Sequence, residues 1–169
     1  MQKSRLRIGR NKSIHPIDYI GDLQMLSQKA RYALRALTAL AERGGREPML
    51  IADIAEEANL PRKFLEQILV ELKKRGIVRC VRGRAGGYLL GRPAREISFA
   101  EIIRTIDGPL ALSPCVSATA YHRCEDCNDE ETCAIRKVLL AARDATAEIL
   151  ESRTLASAIS GRRRARSAA

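Results

Sequence analysis

LIADIAEEANLPRKFLEQILVELKKRGIVRCVRGRAGGYLL, residues 50–90, decides the fold. Residues 50–58 read as a short helix, and Leu60-Pro61 breaks and restarts the chain, with Pro61 suited to a first helical turn. Phe64, Leu65, Ile68, Leu69 and Leu72 then recur at three- and four-residue steps, the buried face of a second helix. Its other face carries Arg62, Lys63, Glu66, Gln67, Lys73 and Lys74. Two short helices on a tight turn make a helix-turn-helix. Beyond Gly76, residues 77–81 predict a strand by alternation and β-branching, residues 82–87 (RGRAGG) a tight basic turn, and Tyr88-Leu89-Leu90 the return strand. A helix-turn-helix followed by a basic hairpin is a winged helix. The expected fold class is mainly α: a winged helix-turn-helix DNA-binding domain with a long C-terminal dimerisation helix.

Upstream, Ala30, Ala33, Leu34, Leu37, Leu40 and Ala41 mark one face of a helix from Ser27, its N-cap, to about Arg43, where Gly44-Gly45 stops it. Residues 1–24 show no periodicity; either Met25 is the native start, or they form a loose basic arm. Downstream, Ser98-Phe99-Ala100-Glu101 fits a capping box, and Asp107-Gly108-Pro109 ends the helix it opens. From about Glu131 to Ser152, Ile135, Val138, Ala142, Ala145 and Ile149 form a short heptad seam suited to close helix–helix approach. Packing of that stripe on its own domain is an equal alternative. The expected organisation is an N-terminal extension (1–24), a winged helix-turn-helix domain (25–108), a cysteine-rich cluster-binding loop (109–130), a dimerisation helix (131–155) and a disordered basic tail (156–169).

The chain has 169 residues, 46% of them apolar, so a real core is within reach. No apolar run is long enough to cross a membrane and no secretory signal is evident, so a soluble, cytoplasmic protein is expected, with no membrane partner. The formal net charge of +10 favours a polyanionic partner, nucleic acid first. The excess is uneven. Residues 111–150 hold four basic and seven acidic side chains and interrupt an otherwise basic chain.

A helix fits the major groove, where side chains reach base edges. Arg62, Lys63, Glu66 and Gln67 lie in the first turns of the second helix; Gln67 suits adenine, and Glu66 can accept from a cytosine amino group. Lys73, Lys74, Arg79, Arg82 and Arg84 are expected to hold phosphates of double-stranded DNA, while Gly86 and Gly87 let the backbone approach the duplex. The alternative is a solvated charged face on a protein-binding winged helix.

Four of five cysteines, Cys115, Cys124, Cys127 and Cys133, fall within the acidic segment. Such a cluster in a cytosolic chain points to a metal or redox site rather than a disulfide framework. Thiolates suit zinc or iron–sulfur clusters, 2Fe–2S or 4Fe–4S alike. Free thiols or a redox disulfide are the alternative. His122 is a reserve ligand or a surface histidine; Asp126, Asp129, Glu130 and Glu131 are expected to cap the next helix rather than bind metal. Cys80, among apolar neighbours, reads as a core thiol. With two histidines and no phosphate loop, nothing supports catalysis, and Cys124-x2-Cys127 lacks the strand-to-helix context of a thiol oxidoreductase.

MLSQKARYALRAL (25–37), LPRKFLEQIL (60–69), VRGRAGGYLLGRP (81–93) and ISFAEIIRTIDG (97–108) together resemble the Rrf2 family of winged-helix transcriptional regulators, of the IscR, NsrR and RirA types. The resemblance covers about residues 25–155. It implies a homodimer on a roughly palindromic operator, with the helix at about 131–152 crossing to the partner subunit. It also implies an iron–sulfur cluster ligated by three cysteines and sensing cluster status, iron, nitric oxide or redox state. Cys115, Cys127 and Cys133 match those three. Cys124 is an extra thiol in an interval longer than the family's, so the fourth ligand is Cys124 or a non-cysteine group. Glu66 matches a glutamate that tunes operator choice, and Arg84-Ala85 replaces a more common Pro-Gly at the wing tip. The leading expectation is a sequence-specific DNA-binding regulator, a repressor, with a structural zinc site, redox thiols or a protein-interaction module as alternatives.

Overall fold

Ser27 is the N-cap that the periodicity implied: its Oγ accepts from the Ala30 amide at 3.0 Å and so satisfies one free N–H of the first turn. In a computed structural model, which describes residues 26–44, 47–83 and 85–160, the order is α1 (Gln28–Glu42), α2 (Ile51–Glu57), α3 (Arg62–Lys74), β1 (Val78–Val81), β2 (Gly87–Leu90), α4 (Phe99–Ile106) and α5 (Ala134–Ser152). One-turn 3-10 segments stand at Ala94–Glu96 and Pro114–Val116. Residues 1–24, Gly45, Arg84 and the tail from 161 onward, each of which carried an expectation, lie outside the described residues.

Small residues let the helices approach closely. Ala33, Ala36, Leu37 and Leu40 of α1 are buried against Leu65, Ile68, Leu69 and Leu72 of α3, with Ile54, Ile77, Ile97 and Ile102 completing the core. Each of the larger side chains contributes about 1.5–3 kcal/mol by leaving water. The helix-turn-helix bend is made by Asn59, in the left-handed region at φ 50, and Leu60 donates back to Ala55 at 2.8 Å. Pro61 occupies the N-cap of α3, one position before the first turn expected for it.

β1 and β2 pair antiparallel, with Val78 opposite Leu90 and Cys80 opposite Tyr88. The hairpin also reaches back to the segment before α2: Met49 and Tyr88 exchange two backbone hydrogen bonds, at 3.0 and 2.8 Å. The wing is therefore docked on the domain.

Ser98 caps α4 through the Glu101 amide at 3.2 Å, whereas the Glu101 carboxylate goes to Arg92. At the other end, Asp107 turns back to α1: its Oδ2 accepts from the Ser27 amide at 2.9 Å and its Oδ1 from the Ser27 hydroxyl.

Four expectations are corrected. Phe64 lies on the flank of α3 and is 58% exposed, its ring edge-on to Tyr32 with centroids 6.5 Å apart. Cys80 is exposed although it shares a strand face with buried Val78, because it stands two residues further toward the hairpin tip, beyond the core. The last helix starts at Ala134 rather than near 131, because Asp129 holds residues 129–132 in a turn of their own. The chain past 155 is not loose from 156: residues 155–160 are helical, Leu155 is fully buried and Ile159 packs against the core. This return is held by Phe99 donating to Arg153 at 2.9 Å and Leu155 donating to Ile97 at 3.0 Å, which fixes the far end of α5 to the start of α4.

α5 buries none of its residues fully: Ile135, Val138 and Ile149 of its seam are 71%, 68% and 61% exposed, whereas Ala142 is half-buried and lines a cleft with Ile103 and Leu110 of its own domain. Among the described residues no helix is long and apolar enough to cross a membrane.

Candidate nucleic-acid interface and cysteine cleft

α3 buries Leu65, Ile68, Leu69 and Leu72, so geometry puts residues 63, 67, 70 and 74 on the opposite side. Lys63, Gln67, Val70 and Lys74 are all exposed. Arg62 and Glu66 neutralise each other across one turn at 3.3 Å. By contrast, the side chains of Lys63, Gln67, Lys73, Lys74, Arg79 and Arg82 have no hydrogen-bond or ion-pair partner among the described residues. Cations on α3 and the wing without a partner among the described residues repel one another, and a polyanion lying across them relieves that cost. Arg84 lies outside the described residues. Val70 escaped the sequence reading, although its place in the 63–67–70–74 progression was available there.

Gly86 and Gly87 are each required by a close contact inside the fold. A Cβ on Gly86 would stand 2.4 Å from the Val81 carbonyl oxygen, and one on Gly87, whose φ is +150°, 2.3 Å from the Met49 carbonyl oxygen. The close approach that requires glycine lies within the hairpin for Gly86 and between hairpin and domain for Gly87. Tyr88 lies beside them, its hydroxyl pKa pushed up first by burial and then by neighbouring Cys80 and Glu66.

All four loop cysteines line one cleft of about 430 Å³ between the loop and the start of α5. Cys115 is buried, and the other three are partly exposed. Ser113 Oγ lies 3.4 Å from Cys115 Sγ and 3.5 Å from Cys124 Sγ, so one hydroxyl bridges two thiols. Cys127 donates its amide to the Cys124 carbonyl at 3.2 Å, and Arg123 holds the Cys127 and Asn128 carbonyls at 2.9 and 2.8 Å. Cys133 is the N-cap of α5, its sulfur accepting from the Arg136 amide at 3.4 Å; a helix N-terminus favours a sulfur that carries negative charge.

That capping role belongs to Cys133 and not to the acidic side chains. Asp129 accepts from Glu131, Thr132 and the Thr132 hydroxyl, bonds that hold its carboxyl below the usual range. Glu130 takes the Tyr121 hydroxyl at 2.5 Å and lies 3.6 Å from Arg136; its hydrogen bond raises the Tyr121 pKa. His122 is exposed and does not line the cleft, which fits its surface reading.

The donor set suits a thiophilic metal or an iron–sulfur cluster. The buried Nε of Arg136, a cleft residue, has no hydrogen-bond partner but lies 3.6 Å from the Glu130 carboxylate, so a paired cation stands beside the thiols. As they stand, no three potential ligands among the described residues are gathered tightly enough to grip one ion. The fit is therefore in residue type and location, and binding requires the loop to close.

Residues 26–161 match the model of a family described as Rrf2, iron-dependent transcriptional regulator. An rrf2-like HTH-type transcriptional regulator of Rhodobacter capsulatus is 43% identical over 134 residues, 78% of this chain and 89% of its own. Among solved structures, CymR, the global cysteine regulator of Bacillus subtilis, superposes with a TM-score of 0.67 at 34% identity, over 80% of this chain and 95% of its own. IscR of T. potens superposes with a TM-score of 0.63 at 29% identity, over 84% and 90%. The family and these relatives are transcriptional regulators, not enzymes, and the chain, a winged helix with exposed cations on α3 and the wing, belongs to the Rrf2 family.

Proposed function

We propose that this chain is a sequence-specific repressor that binds a palindromic operator as a homodimer in the cytoplasm, with the cysteine cleft as its sensor. The observation that carries the reading is the stripe Lys63–Gln67–Val70–Lys74, outward-facing and unpaired, with Arg79 and Arg82 on the adjoining wing. Gln67 reads a base edge, Lys63 and the wing arginines hold phosphates, and Glu66 can accept from cytosine once Arg62 releases it to the backbone. The seam of α5 supplies the dimer contact, and two recognition helices about 34–36 Å apart address successive major grooves. Bulk on a promoter then excludes the polymerase.

Cys115, Cys127 and Cys133 hold an iron–sulfur cluster in this reading, with Cys124 as the fourth thiolate. Bound there, it supplies a redox-active, oxygen-sensitive group. The chain does the coupling: Cys133 caps α5, and the loop that carries the thiols leads from α4, so a change in how the thiols are held reaches the dimer helix directly. Footprinting on promoter DNA tests the DNA part, with a protected inverted repeat as the expected result. The visible spectrum and the iron and acid-labile sulfide of anaerobically purified protein test the sensor part. Broad visible absorption with equal iron and sulfide supports it, and colourless protein that cannot be reconstituted overturns it.

A second reading keeps the DNA contacts and makes the cleft a thiol switch. It is favoured by the Cys115–Ser113–Cys124 bridge and by likeness to CymR of Staphylococcus aureus, which has been solved in an oxidised form. A colourless protein whose thiol titre falls by two on mild oxidation, with loss of DNA binding, would select it.

A further inference from the structure

We propose that Val70 contacts the C5 methyl of a thymine in the operator, adding an apolar element to the polar readout by Gln67. This rests on the DNA-binding reading of α3. Val70 is the ninth residue of a 13-residue helix and is 51% exposed. It stands on the stripe opposite the buried leucines, flanked by Gln67 and Lys74.

Nothing in α3 itself accounts for a valine there. A β-branched residue lowers helix propensity, and an apolar side chain in water gains nothing from exposure. Phe64 provides the contrast: it is also exposed, but its ring rests on Tyr32. Val70 is not among the side chains packed against the core. Its surroundings select the partner. Unpaired Lys63 and Lys74 lie along the same stripe, with Arg79 and Arg82 on the wing, an arrangement suited to phosphates flanking an apolar point. In the major groove phosphates line the walls, and the one apolar group presented on the base edges is the thymine methyl. Gln67 and Val70 are three residues apart, about 4.5 Å along the axis, which places their targets in neighbouring base pairs.

The test starts from a duplex selected by the full chain from a random-sequence pool. Each thymine is replaced in turn, in both half-sites, by uracil, which removes the methyl and no hydrogen-bonding group. Wild type, Val70→Ala and Gln67→Ala are titrated at one salt concentration. Val70→Ala removes no hydrogen bond and raises helix propensity, so it is expected to fold, and a circular-dichroism melt checks that it does. One thymine position is expected at which uracil weakens wild type by about fourfold for each methyl lost. Val70→Ala is expected to bind both duplexes equally at that position, while Gln67→Ala keeps the difference. If Val70→Ala loses as much as wild type at every thymine, or no thymine is sensitive, the proposal is overturned while DNA recognition by α3 stands. If the pool yields no enriched sequence, the DNA-binding reading falls and this proposal falls with it.

Discussion

A Cβ on Gly87 would stand 2.3 Å from the carbonyl oxygen of Met49, the group to which the Tyr88 amide donates at 2.8 Å. The wing is thus locked to the segment before α2 through backbone contact that only glycine permits. Gly87→Ala combines that clash with an unfavourable φ and is expected to cost more than about 2 kcal/mol. Gly83, at φ +113° with nothing near its missing Cβ, is the control, and Gly83→Ala is expected to cost about 1 kcal/mol. Urea unfolding of the two variants, with DNA titration alongside, checks the difference. Equal costs would mean that the wing is not docked.

Much of this was legible in advance, for identifiable reasons. The caps at Ser27 and Ser98 and the breaks at Gly44, Pro61 and Gly108 act locally, so the sequence shows them directly. What depends on tertiary approach was not visible. Phe64 has the spacing of a core residue, but it sits on the edge of the α3 face, exposed, with its ring edge-on to Tyr32. Gly86 and Gly87 have the composition of a wing tip, yet the backbone that Gly87 approaches, at Met49 and Leu50, is 37 or more residues away in the chain. Leu155 follows the last heptad and precedes a basic tail, and only the pairing of Ser98 with Thr154 reveals why it is buried. In the cysteine loop, spacing showed which residues belong together but not that Cys133 would cap α5 or that Ser113 would bridge two thiols.

Asp107 and Ser27 join the end of α4 to the start of α1 across 80 positions of sequence. The carboxylate favours the α1 N-terminus and supports its cap. Asp107→Ala is expected to destabilise the domain by about 1 kcal/mol, because the pair is exposed. Asp107→Asn, which keeps an acceptor, recovers part of that loss. Thermal melts of both variants decide the matter, and an unchanged melting temperature in Asp107→Ala would show the contact to be without energetic consequence.

If α3 and the wing contact DNA as proposed, the two kinds of contact separate by their salt dependence. Arg82 is exposed, unpaired and on the wing, so Arg82→Ala is expected to weaken binding to specific and random duplexes alike and to lower the salt slope by about one per site. Gln67→Ala should leave the slope unchanged and cost about 1–3 kcal/mol on the operator alone. Equal losses on both duplexes for both variants would refute this assignment of roles.

Ile135, Val138 and Ile149 are too exposed to support the monomer, so on the proposed dimer a charge among them is expected to act on assembly rather than folding. Ile149→Glu is expected to leave the melting curve of the winged helix nearly intact and to shift the molar mass in solution from dimer to monomer. The same variant should bind a single half-site and lose the gain from the second. A dimer that survives both Ile149→Glu and Val138→Glu would place the subunit contact elsewhere.

Single serine substitutions distinguish the roles of the four cleft thiols. Cys115, Cys127 and Cys133 line the cleft from the 3-10 turn, the loop and the cap of α5, so loss of any one removes an anchor from a different element. Each is expected to lower iron and sulfide in anaerobically purified protein to a small fraction of wild type, since a serine hydroxyl is a poor substitute for a thiolate ligand. Cys124→Ser is the informative case. Cys124 shares the Ser113 hydroxyl with Cys115, within reach of the same group, and its loss is expected to lower iron as far as the other three. Full iron and sulfide in Cys124→Ser, with an altered visible spectrum in none of the variants but the other three, would assign the fourth position to a group other than this thiol.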